Sequence, residues 1–247
     1  PALLKSNSAN FIKLNEASQI ISALATRKTS REIPYLEDKM STLIQESLDN
    51  KKPLEIISFW GASDKGSLND SDYSVLDKVK EFCLMLKNEH DLDTNMTFIL
   101  SDQHGMLNGY SSKNYSIYLK NIKVEMKKRG LNFVRLSDIW KKGRLTEKQI
   151  REHAKEIDDE KWSAIRIAEG LEKTASHRGH EDAKMGAKVY YSARKLENPL
   201  IEKEFPNSIQ IVFSDDKFQE VYPEVPAFYL WPYKRGNIHN LPWFDYD

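Results

Sequence analysis

The chain has 247 residues, and its 37 basic and 37 acidic side chains leave no formal net charge at pH 7. This balance argues against nucleic acid as the main partner, because nucleic-acid-binding domains usually carry a basic excess. The single cysteine, Cys83, excludes an intrachain disulfide and a cysteine-rich zinc site. Apolar runs are too short to span a membrane and the first residues lack the apolar core of a signal peptide, so we expect a cytoplasmic protein without a membrane partner.

Hydrophobic spacing predicts alternating helices and strands in the first half of the chain. In chain order these are helix within 10–26 and over 35–49, strand over 54–60, helix from about 70 to 90, strand over 96–100, helix over 113–129 and strand over 133–136. Strands that alternate with helices in this way are typical of a parallel sheet covered by helices.

The second half is first helical and then contains strands. Its predicted parts are an irregular region opening at 137–140, a charged helical segment over 146–196 that Asn198-Pro199 partly breaks before 200–205, strands over 208–213 and 227–231, and an aromatic tail over 233–247. Thr146 and Gln149 fit a capping box at the start of the helical segment.

We therefore expect a single α/β domain over residues 1–247, with a Rossmann-like parallel or mixed sheet and helices on both faces. Its predicted parts are a helical N-terminal part over 1–50, a βαβαβ core over 53–140, a helical segment near 146–205, and C-terminal strands with the aromatic tail over 208–247.

The most informative stretch is the end of the strand at 96–100, where polar side chains follow an apolar run. Ser101, Asp102, His104 and Asn108 lie within eight positions. In an open α/β sheet, ligands bind beyond the carboxyl ends of the strands. Asp102 and His104 are candidates for proton transfer, although an Asp at this place also commonly binds backbone N–H groups of a turn.

A second polar loop, Gly61 to Gly66, follows the first strand and is expected to reach the same crevice. Lys65 in this loop is a candidate for binding an anion, but it precedes Gly66, so that the P-loop pattern is absent. An ordinary turn would use the same glycines.

The segment His177-Arg-Gly-His180 offers two histidines but no third ligand at a diagnostic spacing, so we predict no metal site. Lys188 and Arg194 lie in the same helical segment and are candidates for binding phosphate or carboxylate. Neither a nucleophile elbow nor the Rossmann glycine pattern is present. From the residues alone, an enzyme and a small-ligand binder are therefore both open.

Four blocks then follow one another along the chain. They are 53–65 with the helix over 70–86, 97–109 with the pair Ser101-Asp102, 111–140 with Tyr118-Leu119 and Gly130-Leu131, and 187–213, before a final Pro242-Trp243. In this order they resemble the isonitrile (isocyanide) synthase family, also called the pyoverdine/dityrosine biosynthesis family. The chain departs from the family pattern at the strand over 210–215, which lacks the family's Arg and His, and at Gln103-His104, where the family has Gly-Arg.

The resemblance implies an enzyme that converts the amino group of an amino acid into an isonitrile, with ribulose 5-phosphate as the carbon donor and no metal or organic cofactor. For this chemistry we hypothesise that Asp102 and His104 transfer protons and that Lys65 places or polarises the sugar phosphate. Ser101 and Asn108 would contact the substrates, and Lys188 and Arg194 would bind their anionic ends.

Two other functions compete with this prediction. One is a transferase that uses a nucleotide or nucleotide-sugar donor in the same crevice. The other is a small-ligand-binding protein without catalytic activity, which the missing Arg and His of the 210–215 strand favour. The amino acid and the oligomeric state are not indicated by the sequence.

Overall fold

A computed structural model describes residues 16–21, 35–61, 66–107, 112–212, 221 and 224–229. The predictions for Lys65, Asn108 and the aromatic tail lie outside these described residues, as do the ends of the helix predicted within 10–26, of which residues 16–21 are helical.

The described strands form one parallel sheet of five strands in the order β3-β2-β1-β4-β5. Their bounds are β1 Leu54–Trp60, β2 Thr94–Leu100, β3 Asn132–Arg135, β4 Ile209–Val212 and β5 Ala227–Tyr229. The chain moves outward from β1 to β3 and then returns to the other side of β1. The strand order therefore reverses between β1 and β4, which is where ligands bind in sheets of this kind.

Helices cover both faces of this sheet. They are α1 (residues 16–21), α2 Glu37–Asn50, α3 Asp70–His90, α4 Asp102–Leu107, α5 Ser112–Lys128, α6 Leu136–Gly143, α7 Glu147–Glu156, α8 Asp159–Ala164, α9 Ala168–His177 and α10 Ala183–Glu204. The predicted α/β fold with a parallel sheet and a helical segment before β4 is confirmed.

Alternate side chains of β1 build two separate cores, because successive residues of a strand point to opposite faces. Ile56 and Trp60 pack in one buried cluster with residues of α1, α2, α3 and α5. Ile57 packs in a second cluster with residues of α6 to α10. The long segment between β3 and β4 is thus a layer that covers one whole face of the sheet.

Side-chain caps fix where several helices begin. At α3, Asn69 and Asp72 form a reciprocal capping box, and at α7 the predicted pair Thr146 and Gln149 forms a second one. Such caps each contribute about 1 kcal/mol. The predicted start of α7 is confirmed by its cap.

Three local predictions are wrong. The region predicted to be irregular at 137–140 lies in α6, and the polar turn after β2 is the short helix α4. Helix α6 forms there because the N–H of Ser137, in its first turn, donates to the side chain of Asp102, which is distant in the sequence. The partial break predicted at Asn198-Pro199 is not seen, and α10 continues to Glu204, as the helical spacing over 200–205 indicated, with Asn198 and Ile201 buried. Tertiary burial there outweighs the missing N–H of proline.

In the described part of the chain, no helix combines the length and the hydropathy needed to cross a membrane.

Candidate functional site

The carboxyl ends of β1 and β2 lie side by side, because Trp60 is in register with Leu100. The next residue, Ser101, is buried; its N–H donates to the Trp60 carbonyl at 3.1 Å, and its own carbonyl accepts from the Gly105 N–H at 3.1 Å. Helix α4 therefore starts directly at the edge where the strands end. This position places its side chains at the crevice beyond the strand ends.

His104 of α4 is paired with Glu197 of α10, and both side chains are buried. Its Nε2 lies 2.9 Å from Glu197 Oε1 and 3.0 Å from Oε2. Because a carboxylate accepts but cannot donate, Nε2 carries the proton in this contact. In the neutral ring Nδ1 then holds the free lone pair, and within the described residues no hydrogen bond is made to it.

Two further groups contact the Glu197 carboxylate. Trp140 Nε1 donates to Oε2 at 3.1 Å, and Arg194 Nε lies 3.4 Å from Oε1. Burial alone raises the pKa of Glu197, but the charge interaction and hydrogen bond with His104, together with Arg194 and Trp140, outweigh it. The pKa of Glu197 therefore lies below its ordinary value, and the carboxyl group is ionised at neutral pH.

Aromatic rings flank the pair. Phe59 stacks on His104 with ring centroids 5.7 Å apart, and the Tyr190 ring meets His104 edge-on at 5.3 Å. The Arg194 guanidinium lies 4.2 Å from the Phe59 ring centroid, in cation–π distance. These contacts restrict the orientation of the His104 ring, since little space is left for it to turn.

Asp102 points away from His104 and toward β3 and α6. Its carboxylate accepts from Arg135 Nε at 2.8 Å, from the Ser137 N–H at 2.9 Å and from Ser137 Oγ at 2.6 Å. These bonds cap α6 and hold α4 against β3. The described contacts of Asp102 are thus those of a side chain that fixes the framework of the crevice.

The two predicted anion-binding residues of α10 have different surroundings. Lys188 Nζ is bound to the Ile157 carbonyl at 2.7 Å and lies 3.2 Å from Asp159 Oδ1, so that it ties the α7–α8 connection to α10. Arg194 contacts Glu197 and Phe59, which flank His104, whereas Lys188 is bound elsewhere, earlier on α10. Lys65 and Asn108 lie outside the described residues.

Glu197 was not among the predicted site residues, although the sequence carries a signal for it. Arg194 and Glu197 continue the spacing of Ala187, Tyr191 and Ile201, which form the buried stripe of α10. Two charged residues in an apolar stripe of a helix must be paired, because burying an unpaired charge is costly. This pattern indicates a buried polar site, but only the fold shows that its partner is His104, 93 residues away.

Among the described residues no group of three or more His, Cys, Asp and Glu side chains is arranged to hold a metal ion. The segment that contains His177 and His180 instead turns the chain between α9 and α10, with Gly179 in the left-handed region at φ 77°.

The fold is that of an α/β protein with a parallel sheet flanked by helices, and the buried His104–Glu197 pair lies beside the carboxyl ends of β1 and β2. Compared with solved structures, the chain is similar to the PvcA protein from Pseudomonas aeruginosa, with a TM-score of 0.60 and 15% identity over 93% of this chain and 88% of that one. At this identity the similarity shows the fold alone.

A tyrosyl-tRNA synthetase from Archaeoglobus fulgidus, complexed with L-tyrosine, aligns with a TM-score of 0.48 and 13% identity over 87% of this chain and 63% of that one. No family model matches the chain, and no curated protein matches it.

Proposed function

We propose that the protein is an enzyme of the isonitrile synthase type, which converts the amino group of an amino acid into an isonitrile with ribulose 5-phosphate as the carbon donor. Two independent comparisons support this proposal. The four sequence blocks resemble the isonitrile synthase family, and PvcA, a protein of that family, has the same fold over most of both chains.

The buried pair of His104 and Glu197 carries the proposal chemically. Condensation of an amine with a ketone and the cleavage that follows need a group that accepts and returns protons. Glu197 orients the His104 ring and holds the proton on Nε2, while Nδ1 is the atom that would exchange protons with the substrate. An ionised carboxylate behind an imidazole performs the same two tasks in hydrolases.

The described contacts divide the remaining residues by role. In this proposal Asp102 positions α4 and α6, and Arg194 holds Glu197 and Phe59 in place at the crevice. Lys65, with Ser101 and Asn108, is proposed to bind the sugar phosphate. Lys188, which was a candidate for an anionic end of the substrate, is proposed to stabilise α10 instead.

The proposal is tested by incubating the purified protein with the standard amino acids and ribulose 5-phosphate and trapping isonitrile with a tetrazine. We expect a trapped product from one amino acid, and at least a hundredfold loss of rate in His104→Gln. The matched control is His90→Gln, because His90 lies at the end of α3, near the beginning of β2 and away from the crevice.

Three results would contradict the proposed role of His104 or favour one of the two alternative functions. Full activity of His104→Gln would remove this residue from the mechanism. Binding of a nucleotide without isonitrile formation would favour the transferase. Binding of an amino acid without turnover of any phosphorylated sugar would favour a binding protein without catalytic activity.

A further inference from the structure

Two buried amide side chains, Asn198 of α10 and Gln210 of β4, play no part in the chemistry described so far. Asn198 is 6% exposed and Gln210 is 4% exposed. Asn198 Nδ2 donates to Glu202 Oε1 at 3.1 Å, whereas Asn198 Oδ1 has no hydrogen-bond partner. Within the described residues, the side-chain amide of Gln210 makes no hydrogen bond either. Buried polar groups without partners are rare in native proteins because each one costs free energy.

Gln210 points to the face of the sheet that carries the buried His–Glu pair. Its neighbours Ile209 and Ile211 pack in the first cluster, so the side chain between them points to the opposite face. Gln210 is in register with Ile57 of β1, which packs in the second cluster. Phe59, two residues further along β1, stacks on the ring of the proposed base. Gln210 therefore lies one strand to the side of Phe59 and two residues before it.

Asn198 reaches the same level of the sheet from α10. The guanidinium of Arg194 lies 4.2 Å from the Phe59 ring centroid. Helix α10 leads into β4, which is parallel to β1, so α10 runs back along the sheet. One helical turn of about 5.4 Å separates Arg194 from Asn198, and two strand residues, about 6.6 Å, separate Phe59 from Ile57. Asn198 therefore lies at the level of Ile57 and of its register partner Gln210.

The rotation of α10 directs Asn198 toward β4. Each residue turns an α-helix by about 100°, so Glu197 and Asn198 project on opposite sides of Arg194, about 60° and about 40° from it. Glu197 contacts His104, which follows β2. Because β1 lies between β2 and β4, the other side of Arg194 is the side of β4. The two amides thus face the same part of the protein interior, beside the proposed base.

The unused atoms of the amides define the ligand group that they fit. Asn198 Oδ1 is an acceptor and needs a donor, while the amide of Gln210 offers two donors and an acceptor. A carboxylate only accepts and would leave Asn198 Oδ1 unpaired. An ammonium group donates, but it is charged, and the guanidinium of Arg194 lies one turn away on α10. A hydroxyl group is neutral, donates one hydrogen bond and accepts others, so it satisfies both amides.

We infer that Asn198 and Gln210 bind a hydroxyl group of the ligand that meets His104. This inference rests on the proposed function and assigns two further binding residues to its site. Hydroxyl groups are present on the carbon chain of a sugar phosphate and on the side chain of a hydroxylated amino acid. The chemistry of recognition is the same for both sources, and matched ligands distinguish them.

Calorimetric titration of the purified protein tests the inference with three pairs of ligands. They are ribulose 5-phosphate with inorganic phosphate, threonine with valine, and tyrosine with phenylalanine. We expect the hydroxylated member of at least one pair to bind, and Asn198→Leu and Gln210→Met to weaken that binding by about tenfold or more. Binding of the member without a carbon-bound hydroxyl is expected to stay unchanged. The pair that responds identifies the source of the hydroxyl group.

Urea unfolding of the same variants separates ligand binding from a structural role. Leucine and methionine keep most of the side-chain volume and remove an unpartnered buried amide, so we expect a higher urea midpoint in each variant. A midpoint that falls in both variants would assign the amides to the framework and overturn the inference. Unchanged binding in both variants would overturn it whatever the midpoint. Gln210→Met keeps the test decisive if Asn198→Leu does not fold.

Gln45→Met is the matched control. Gln45 Oε1 is also buried without a hydrogen-bond partner, but its helix α2 packs in the first cluster, on the opposite face of the sheet. We expect its urea midpoint to rise in the same way, while the binding of every ligand stays as in wild type. Weaker binding in Gln45→Met, equal to that of the other two variants, would overturn the inference.

The outcomes separate the inference from the proposed function. Isonitrile formed with wild-type rate and KM in both variants would support the function and overturn the inference. Binding that depends on the ligand hydroxyl and on both amides, without any isonitrile from the wild-type protein, would support the inference and overturn the proposed reaction. Failure of the folded wild-type protein to bind any of the hydroxylated ligands would overturn the inference.

Discussion

At the scale of single residues, Glu197 combines features that seldom occur together in a protein interior. Its carboxylate is fully buried, is ionised, and contacts His104, Trp140 and Arg194. A buried charge that is paired and hydrogen-bonded in this way is costly to disturb, because removal of one partner leaves the others buried without compensation.

The lowered pKa of Glu197 predicts a defined pH dependence of stability. Its folded-state pKa lies below the unfolded value, so its contribution is present above the ordinary glutamate pKa and is lost as the pH falls through the folded value. We expect wild type to be more stable than Glu197→Gln by about 2 kcal/mol or more at pH 7, and this difference to shrink below about pH 4. Urea unfolding at several pH values measures it.

The matched control for this prediction is Glu204→Gln in the same helix. Glu204 pairs with Lys142 at the surface, where an ion pair contributes at most about 1 kcal/mol. A stability difference for Glu197→Gln that stays constant from pH 7 to pH 3 would contradict the assignment of an ionised, stabilising carboxylate.

Gly105 is the second residue with a clear physical requirement. A Cβ at this position would lie 2.8 Å from a ring carbon of Tyr115, which is itself buried. Gly105→Ala is therefore expected to lower the free energy of unfolding by about 1–3 kcal/mol and to displace α4 together with His104. Gly170→Ala in α9 is the control, since nothing lies within 4 Å of its Cβ, and we expect it to be neutral or slightly stabilising.

At the scale of elements, α4 and α6 are short helices that depend on each other. Asp102 at the start of α4 caps α6, and Arg135 at the end of β3 pairs with the same carboxylate. Neither helix is long enough to be stable alone. Their stability comes from this junction and from the buried side chains of Ile139 and Trp140.

This junction gives a test that separates positioning by Asp102 from proton transfer by it. We expect Asp102→Asn to lower the free energy of unfolding by about 1–3 kcal/mol, because a charged acceptor of three hydrogen bonds is replaced. If Asp102 only positions the helices, folded Asp102→Asn keeps most of its turnover and Ser137→Ala is destabilised in the same direction. A loss of turnover comparable to that of His104→Gln, in a variant as stable as wild type, would instead assign proton transfer to Asp102.

At the scale of the whole molecule, the parallel sheet separates two cores that share only its strands. Within the described residues, the central strand β1 forms ladders on both sides, with β2 and β4. The outer strands β3 and β5 each form a ladder on one side. His104 follows β2 where it ends beside β1, so the proposed site is built next to the most enclosed of the described strands. Rigid support of this kind is what the base of the proposed reaction would require.

Hydrogen exchange measured by mass spectrometry tests this arrangement. We expect the amides of β1 and β2 to exchange most slowly, because they open only with the whole sheet, and those of β3 to exchange faster. Peptides from the exposed helix α9 serve as the internal comparison. Exchange in β1 as fast as in α9 would contradict a central, doubly paired β1.

The sequence by itself determined the fold class and the main helices and strands, because apolar spacing and caps are local patterns. It offered His104, after a strand, and Arg194, in the helical segment, as candidates, but it did not show that Glu197 contacts both. It also predicted irregular chain where α6 lies, since the cap of α6 comes from Asp102, 35 residues earlier.

Only the tertiary structure decided these pairings. A polar residue in an apolar stripe can belong to a functional site or to a structural contact, depending on which distant groups it meets. The strand order decides which groups these are. The same holds for Lys188, which local sequence leaves as a candidate anion binder and which the fold ties to Ile157 and Asp159. The local patterns specify the elements, and long-range packing specifies which charges meet.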